Sequence, residues 1–184
     1  KNPVVWWILL IGACVISGKV SVLTYAEHIA IDLAHVHESQ FPLIILCVGL
    51  GMASGSLVGG KLAGIHLHRT LFAAICWVIA VMVLVQLWAT HAPGVYLAFY
   101  LLGTITVFIP ALQVLIIDHT QPYATLPSAA YHSALNCGNA AGPLLSSLLI
   151  GAGYGYLSST WVGFALAISA LVVYVTGKTY LRRI

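Results

Sequence analysis

Charge is what this sequence has least of. Asp, Glu, Lys and Arg make up only 6% of its 184 residues, against about a quarter in soluble globular domains. So few charges cannot clothe a water-facing surface, which excludes an ordinary soluble fold. Seven Lys and Arg against four Asp and Glu are too sparse for the basic stripe that nucleic-acid binding needs, so no nucleic-acid partner is expected. The four cysteines, Cys14, Cys47, Cys76 and Cys137, lie singly within apolar runs and form no CxxC pair. Neither disulfides nor a thiolate metal site is expected from them. His35 with His37, and His66 with His68, are two residues apart, which on a helix aims them to different sides. No metal or cofactor is expected. The chain opens on Lys1 rather than Met, so it reads as excised or truncated, with no legible signal peptide.

What fills the chain is hydrocarbon. Hydrophobic residues are 61% of the total, and the mean hydropathy is +1.02. Six apolar stretches, near 4–26, 41–64, 70–89, 94–117, 128–150 and 157–177, each reach the ~20 residues a helix needs to cross a ~30 Å hydrocarbon core. Long uninterrupted runs argue against a β-barrel, whose strands alternate in polarity. The expected fold is an all-α integral membrane protein, a single bundle of six transmembrane helices over 1–184.

The breaks between stretches are polar or turn-forming, and the longest runs from Glu27 to Gln40. With six crossings both chain ends share one side. Lys1, Lys61, Arg69, Lys178, Arg182 and Arg183 fall on that side. The opposite side holds Glu27, Asp32 and Glu38 and no Lys or Arg. The positive-inside rule then places both termini in the cytoplasm of a cell whose inner or plasma membrane holds the chain. Trp6, Trp7, Trp88 and Trp161 stand near the ends of stretches, as an interfacial aromatic belt requires.

Two small-residue seams are written into the helices. Gly51, Gly55 and Gly59 recur every fourth residue, as do Ala134, Gly138 and Gly142 before Pro143. Such spacing lets a neighbouring backbone approach closely. Pro143 and Pro110 each leave one helical carbonyl without its donor and favour a kink. Among polar residues Lys19 is the sharpest case. It sits deep in the first stretch, where an ionisable side chain costs at least ~2.5–3.5 kcal/mol and marks a functional cavity more often than a snorkelling cation. Glu27 and His28 follow at the outer end, with Glu27 either a protonatable coupling group or a solvated loop residue. His132, Asn136 and Asn139, with Ser128 a turn earlier, form a polar stripe along the fifth stretch. It lines a water-filled cavity or bonds a neighbouring helix. Gln113 and Gln86 are weaker members of the same class.

Several of these segments resemble a known family. Leu23-Thr24-Tyr25, then Gly49-Leu50-Gly51 with Gly55 and Gly59-Gly60-Lys61-Leu62-Ala63, then Ser133-Ala134-Leu135-Asn136 with Gly138-Asn139-Ala140-Ala141-Gly142 occur in order along the chain. Their order and spacing resemble the C-terminal six-helix half of a major facilitator superfamily transporter, in its drug/sugar proton-antiporter (arabinose-efflux-permease-like) branch. Two features depart from that pattern: Gly64 stands where the family often has an acid, and Gly138 to Ser147 resembles an antiporter signature of a different helix. The resemblance implies one half of a twelve-helix fold, completed by a second six-helix half encoded upstream or supplied by another copy. It implies proton-coupled efflux of a small organic solute such as a sugar, nucleoside or drug, with Lys19, Tyr25, Glu27, His28, Gln113, His132, Asn136 and Asn139 along the substrate and proton pathway. Gly51, Gly55, Gly59, Gly138, Gly142 and Pro143 would serve packing and gating, and no residue would be catalytic. Two rival readings are a six-helix intramembrane serine hydrolase using Ser54 and His132, and an inactive transporter remnant.

Overall fold

The computed structural model describes residues 3–122 and 125–181. The orientation argument drew on Lys1, Arg182 and Arg183, which lie outside the described residues, as does the side chain of Lys178. The described chain is helical almost throughout and contains no strand.

Helix α1 (Pro3–Leu23) is apolar along its length apart from Lys19 and two serines, Ser17 and Ser21, near its end. After Tyr25 the chain stays helical through a turn at Ala26–His28 and a wider turn at Ile29–Leu33. It reverses at His35, whose φ of 55° is left-handed. A short 3-10 turn at Glu38–Gln40 follows, where His37 Nδ1 accepts from the Ser39 backbone N–H. The segment expected as the longest loop is therefore a folded cap. Ile29, Ala30, Ala34 and Val36 give it an apolar side to bury, which loose polar loops lack.

The next two expected crossings, 41–64 and 70–89, are the two helical arms of α2 (Phe41–Trp88), joined at a kink where His66 leaves helical geometry (φ −144°, ψ 70°). The contacts of its two arms run in opposite senses along the following segment. In the first arm, Gly51 meets Tyr100 and Gly103, Gly55 meets Thr104, and Gly59 meets Val107, so the two run parallel. In the second arm, Trp77 bonds Thr104 while Trp88 meets Gly94, so the two run antiparallel. The chain therefore turns back on itself at His66.

Helix α3 (Ala92–Thr104) passes through a 3-10 turn (Ile105–Val107) into α4 (Phe108–Thr120). This is the expected 94–117 stretch with its irregularity one turn before Pro110. The ring nitrogen of Pro110 cannot bond the carbonyl of Thr106, and the backbone tightens there instead. Helix α5 (Thr125–Leu149) continues through Pro143. The expected kink at that proline gives way to a wide turn at Ile150–Tyr154, closed by the left-handed Gly153 and Gly155. Helix α6 (Ser158–Leu181) completes the chain.

Packing follows the small residues. Gly12 of α1 faces Tyr131 and Leu135 of α5, and Ser17 faces Gly138 and Gly142, so α1 and α5 run parallel. Gly18 faces Gly163 and Trp7 faces Gly177, so α6 runs antiparallel to α1. Phe99, Phe108 and Tyr131 are fully buried at the centre. The exterior is apolar: Trp6, Leu57, Leu148 and Trp161 are each at least 60% exposed. A continuous greasy surface of this kind suits hydrocarbon as solvent and would drive association in water.

Four stretches of the described residues are long and apolar enough to span a bilayer: Val4–Leu23, Glu38–Trp88, Ala92–Thr120 and Ser158–Gly177. The expectation was six. Two of those six lie within Glu38–Trp88, on either side of His66, and α5, which carries His132, Asn136 and Asn139, is more polar than these stretches.

Candidate functional site

The polarity of α5 is one-sided. Tyr131, Leu135, Gly138, Gly142 and Ser146 are buried, and the first four of these lie against α1 or the α4 backbone. His132, Asn136 and Asn139 point the other way and are exposed, with Ser128 half-buried above them. Spacings of four and three residues bring the three onto one face of the helix. Among the described residues none of the three has a hydrogen-bond partner within the chain, and the His132 ring lies beside that of Tyr131, with centroids 5.5 Å apart. Amide groups facing bare hydrocarbon would each cost several kcal/mol, roughly, with no partner. This face therefore requires water, a polar solute or another polar surface.

The glycine seams do different work. A Cβ on Gly55 would come within 2.6 Å of the Thr104 carbonyl oxygen, and one on Gly51 or Gly59 would overlap the carbonyl oxygens of Tyr100 and Val107. On α5, a Cβ on Gly142 would overlap the Ser17 carbonyl oxygen, and one on Gly138 would lie 2.7 Å from that of Ala13. Both seams are helix–helix contacts with α3 and α1, and neither faces the polar stripe.

Lys19 is not on the stripe either. It is only 3% exposed, inside the bundle, and among the described residues it has no hydrogen bond or ion pair. The neighbouring serines are satisfied: Ser17 donates to the Gly138 carbonyl at 2.8 Å, and Ser21 lies within 2.7 Å of Gly18 O and 3.0 Å of Ser159 O. Ser146, one turn past Gly142, is fully buried, and its hydroxyl finds no partner among the described residues.

Tyr25 and His28 assemble a second cluster at the end of α1. The Tyr25 hydroxyl donates to the Pro143 carbonyl at 3.3 Å. The His28 ring stacks on Tyr156 at 4.3 Å with 4° between planes, and its Nδ1 lies 3.1 Å from Asp32. This cluster ties the α1 cap to the α5–α6 connection. Asp32 was legible as the fourth residue after His28, whereas Tyr156 carried no signal beyond its place in Tyr154-Gly155-Tyr156. Glu27 is exposed beside the cluster, with no ion pair among the described residues. Gln113 is half-buried. Gln86 accepts from the Thr160 hydroxyl and so joins α2 to α6.

The hydrolase pair does not form. Ser54 lies 3.0 Å from the Gly51 carbonyl oxygen, to which it donates, and 3.2 Å from the Tyr100 hydroxyl. His132 sits on the outward face of α5 with no bond to it. A nucleophile needs its base within hydrogen-bond reach, and this arrangement overturns the assignment of that dyad.

No family model matches the chain. Among curated proteins it is 24% identical over 157 residues to the inner membrane transport protein YdhP of Escherichia coli K12, covering 84% of this chain and 40% of that protein. It is 27% identical over 173 residues to a probable sugar efflux transporter of Helicobacter pylori G27, covering 93% and 44%. It is 23% identical over 183 residues to the putative transporter AraJ of Escherichia coli K12, covering 95% and 45%. The chain thus spans somewhat under half the length of the curated relatives it matches. These relatives are named as transporters and none of them as an enzyme, which bears out the likeness to a major facilitator transporter half. With its apolar helices and these relatives, the chain is a helical membrane protein.

Proposed function

We propose that this chain is one six-helix half of a secondary transporter, and that the polar face of α5 lines the passage between it and a second half. The observation that carries the reading is the outward-facing set His132, Asn136 and Asn139 on an otherwise greasy exterior. The alternating helix directions support six crossings: α1 parallel to α5, the first arm of α2 parallel to α3, and α6 antiparallel to α1. Count and polarity then agree with the positive-inside pattern, with Lys61 and Arg69 flanking the His66 turn on the cytoplasmic side and Glu27, Asp32 and Glu38 outside. Both termini are cytoplasmic in this arrangement. A periplasm-restricted tag reporter that lit up at either end would overturn it.

The face presents two carboxamides and one imidazole and no fixed charge. Such groups recognise a neutral, hydroxyl-bearing small solute by hydrogen bonds, and a relative named for sugar efflux makes that class the first to test. Protons are the coupling ion, with His132 as the titratable group on the face. Alternating access of the two halves around a mid-membrane site supplies the mechanism.

Two measurements test the assignment in the full-length protein. First, Asn139→Cys in a cysteine-free background is expected to react with a membrane-impermeant thiol reagent, while Ser169→Cys on the exposed side of α6 stays unlabelled. Equal protection of both positions would count against a water-lined face. Second, Asn136→Leu is expected to cut solute efflux from proteoliposomes about fivefold or more, since a lost hydrogen bond of ~1 kcal/mol corresponds to that factor. Thermal stability should hardly change, because Asn136 has no hydrogen-bond partner among the described residues. Undiminished efflux at equal expression would remove it from the passage.

A further inference from the structure

A second feature of the exterior is unused by that reading. Between the two arms of α2 and α3 lies an outward-facing groove of about 490 Å³. Val58 and Leu62 form one wall, and Ala73 and Trp77 the other. The floor is polar, but its donors are already committed. Ser54 and Tyr100 share a 3.2 Å hydrogen bond, Ser54 also donates to Gly51 O, and Trp77 Nε1 donates to Thr104 Oγ1 at 2.8 Å. Thr104 in turn donates to the Leu101 carbonyl at 2.6 Å. The groove is thus an apolar trough with a satisfied floor, shaped for a hydrocarbon chain rather than for a polyhydroxylated solute.

Two cations stand next in sequence to its lining residues. The lining residues Leu62 and Thr70 flank the His66 turn, and their sequence neighbours are Lys61 and Arg69. Lys61 follows Ser54 by seven residues and Val58 by three, so it shares their helix face. Both cations are exposed, and among the described residues neither has an ion-pair or hydrogen-bond partner. The sequence holds no Asp or Glu between Glu38 and Asp118, so neither arm of α2, nor α3, can neutralise them. Asp118, at the end of α4, pairs with neither. Two free cations at the membrane interface above a trough open to hydrocarbon match one kind of molecule in both charge and shape.

We infer that this groove binds an anionic phospholipid of the cytoplasmic leaflet. Its phosphate sits between Lys61 and Arg69, and one acyl chain lies along Val58, Leu62, Ala73 and Trp77. The site rests on the proposed placement of the His66 turn at the cytoplasmic interface and not on transport itself. Basic residues between helices at that interface attract anionic headgroups, and each Lys or Arg near the surface is worth about fivefold in affinity.

The test titrates the purified full-length protein in detergent with phosphatidylglycerol or with phosphatidylcholine of the same acyl chains. Bound lipids are counted by native mass spectrometry. Phosphatidylglycerol is expected to bind roughly twenty-five-fold more tightly, the product of two fivefold contributions. The double variant Lys61→Gln/Arg69→Gln should bring that preference close to one. Ala73→Phe, which narrows the trough and leaves both charges, should lower phosphatidylglycerol occupancy at unchanged thermal stability. Equal affinity for the two lipids, or a preference that survives in the double variant, overturns the site; equal binding would mark the groove as a seat for bulk lipid of any headgroup. Efflux measured on the same samples separates the two readings. A transporting protein without the preference overturns the lipid site alone, and a lipid-selective protein that moves no solute overturns the transport reading alone.

Discussion

Gly51→Leu is expected to abolish the folded protein, while Gly49→Leu, two residues away on the same helix, is expected to leave it intact. The two glycines differ in what stands beside them. A Cβ on Gly51 would overlap the backbone carbonyl oxygen of Tyr100, with the Gly103 Cα and the Thr104 nitrogen each about 3 Å away. A Cβ on Gly49 meets nothing within 4 Å. A clash with a side chain is relieved by a rotamer change, but a clash with backbone is relieved only by moving a helix. Overpacking in a well-filled interior costs about 1–3 kcal/mol even where side chains can adjust, and here the obstacle is rigid. In a bilayer the loss is decisive, because lipid is as apolar as leucine and close packing, rather than water exclusion, holds helices together. Fluorescence-detected size exclusion with a thermal ramp measures both variants. Similar melting temperatures for the two would mean that the α2–α3 contact is not what holds these helices, and the seam would lose its structural role.

That contrast shows where the sequence could be read and where it could not. The spacing of Gly51, Gly55 and Gly59 announced a close helix contact, and the structure supplies one, because four-residue periodicity is a property of the helix itself. The identity of the neighbour was not written there. The same helix carries Gly49, Gly60 and Gly64, which have open space around them, and spacing alone does not separate the two sets. The apolar runs were legible because crossing a bilayer is a demand on length and composition. The cap after α1 is not legible as folded structure, because Glu27, Asp32 and Glu38 interrupt the apolar pattern of Ile29, Ala30 and Val36, which are buried between them. The turn at His66 was expected only as a polar break, since one residue leaving helical φ/ψ is invisible in composition. The stripe on α5 was legible from polar residues at helical spacing. Its outward direction was not, because that depends on which face meets α1. Lys19 shows the same limit in reverse: its depth could be counted along the chain, but its burial inside the bundle depends on how α1 is rotated, which its neighbours decide.

Lys19→Met is expected to eliminate transport by the full-length protein and at the same time to raise its thermal stability. The second half of that expectation comes from the cost of the wild-type residue. A lysine 3% exposed within a helix bundle, with no hydrogen bond or ion pair among the described residues, is held against a penalty of at least ~2.5–3.5 kcal/mol near the bilayer centre. Methionine matches the unbranched shape of the lysine stem and removes the charge, so about 1–3 kcal/mol of that penalty should return as stability. Groups that a fold keeps at such a cost are found where function requires them, and stability gained on their removal is the mark of that trade. The first half follows if the cation meets a proton or an anionic group during the cycle; Lys19→Arg, which keeps the charge, should then retain part of the activity. Thermal unfolding and proteoliposome efflux on the same preparations check both halves. A Lys19→Met protein that melts earlier than wild type and still exports solute at the wild-type rate would sink the idea, because it would show a lysine that serves packing and nothing else.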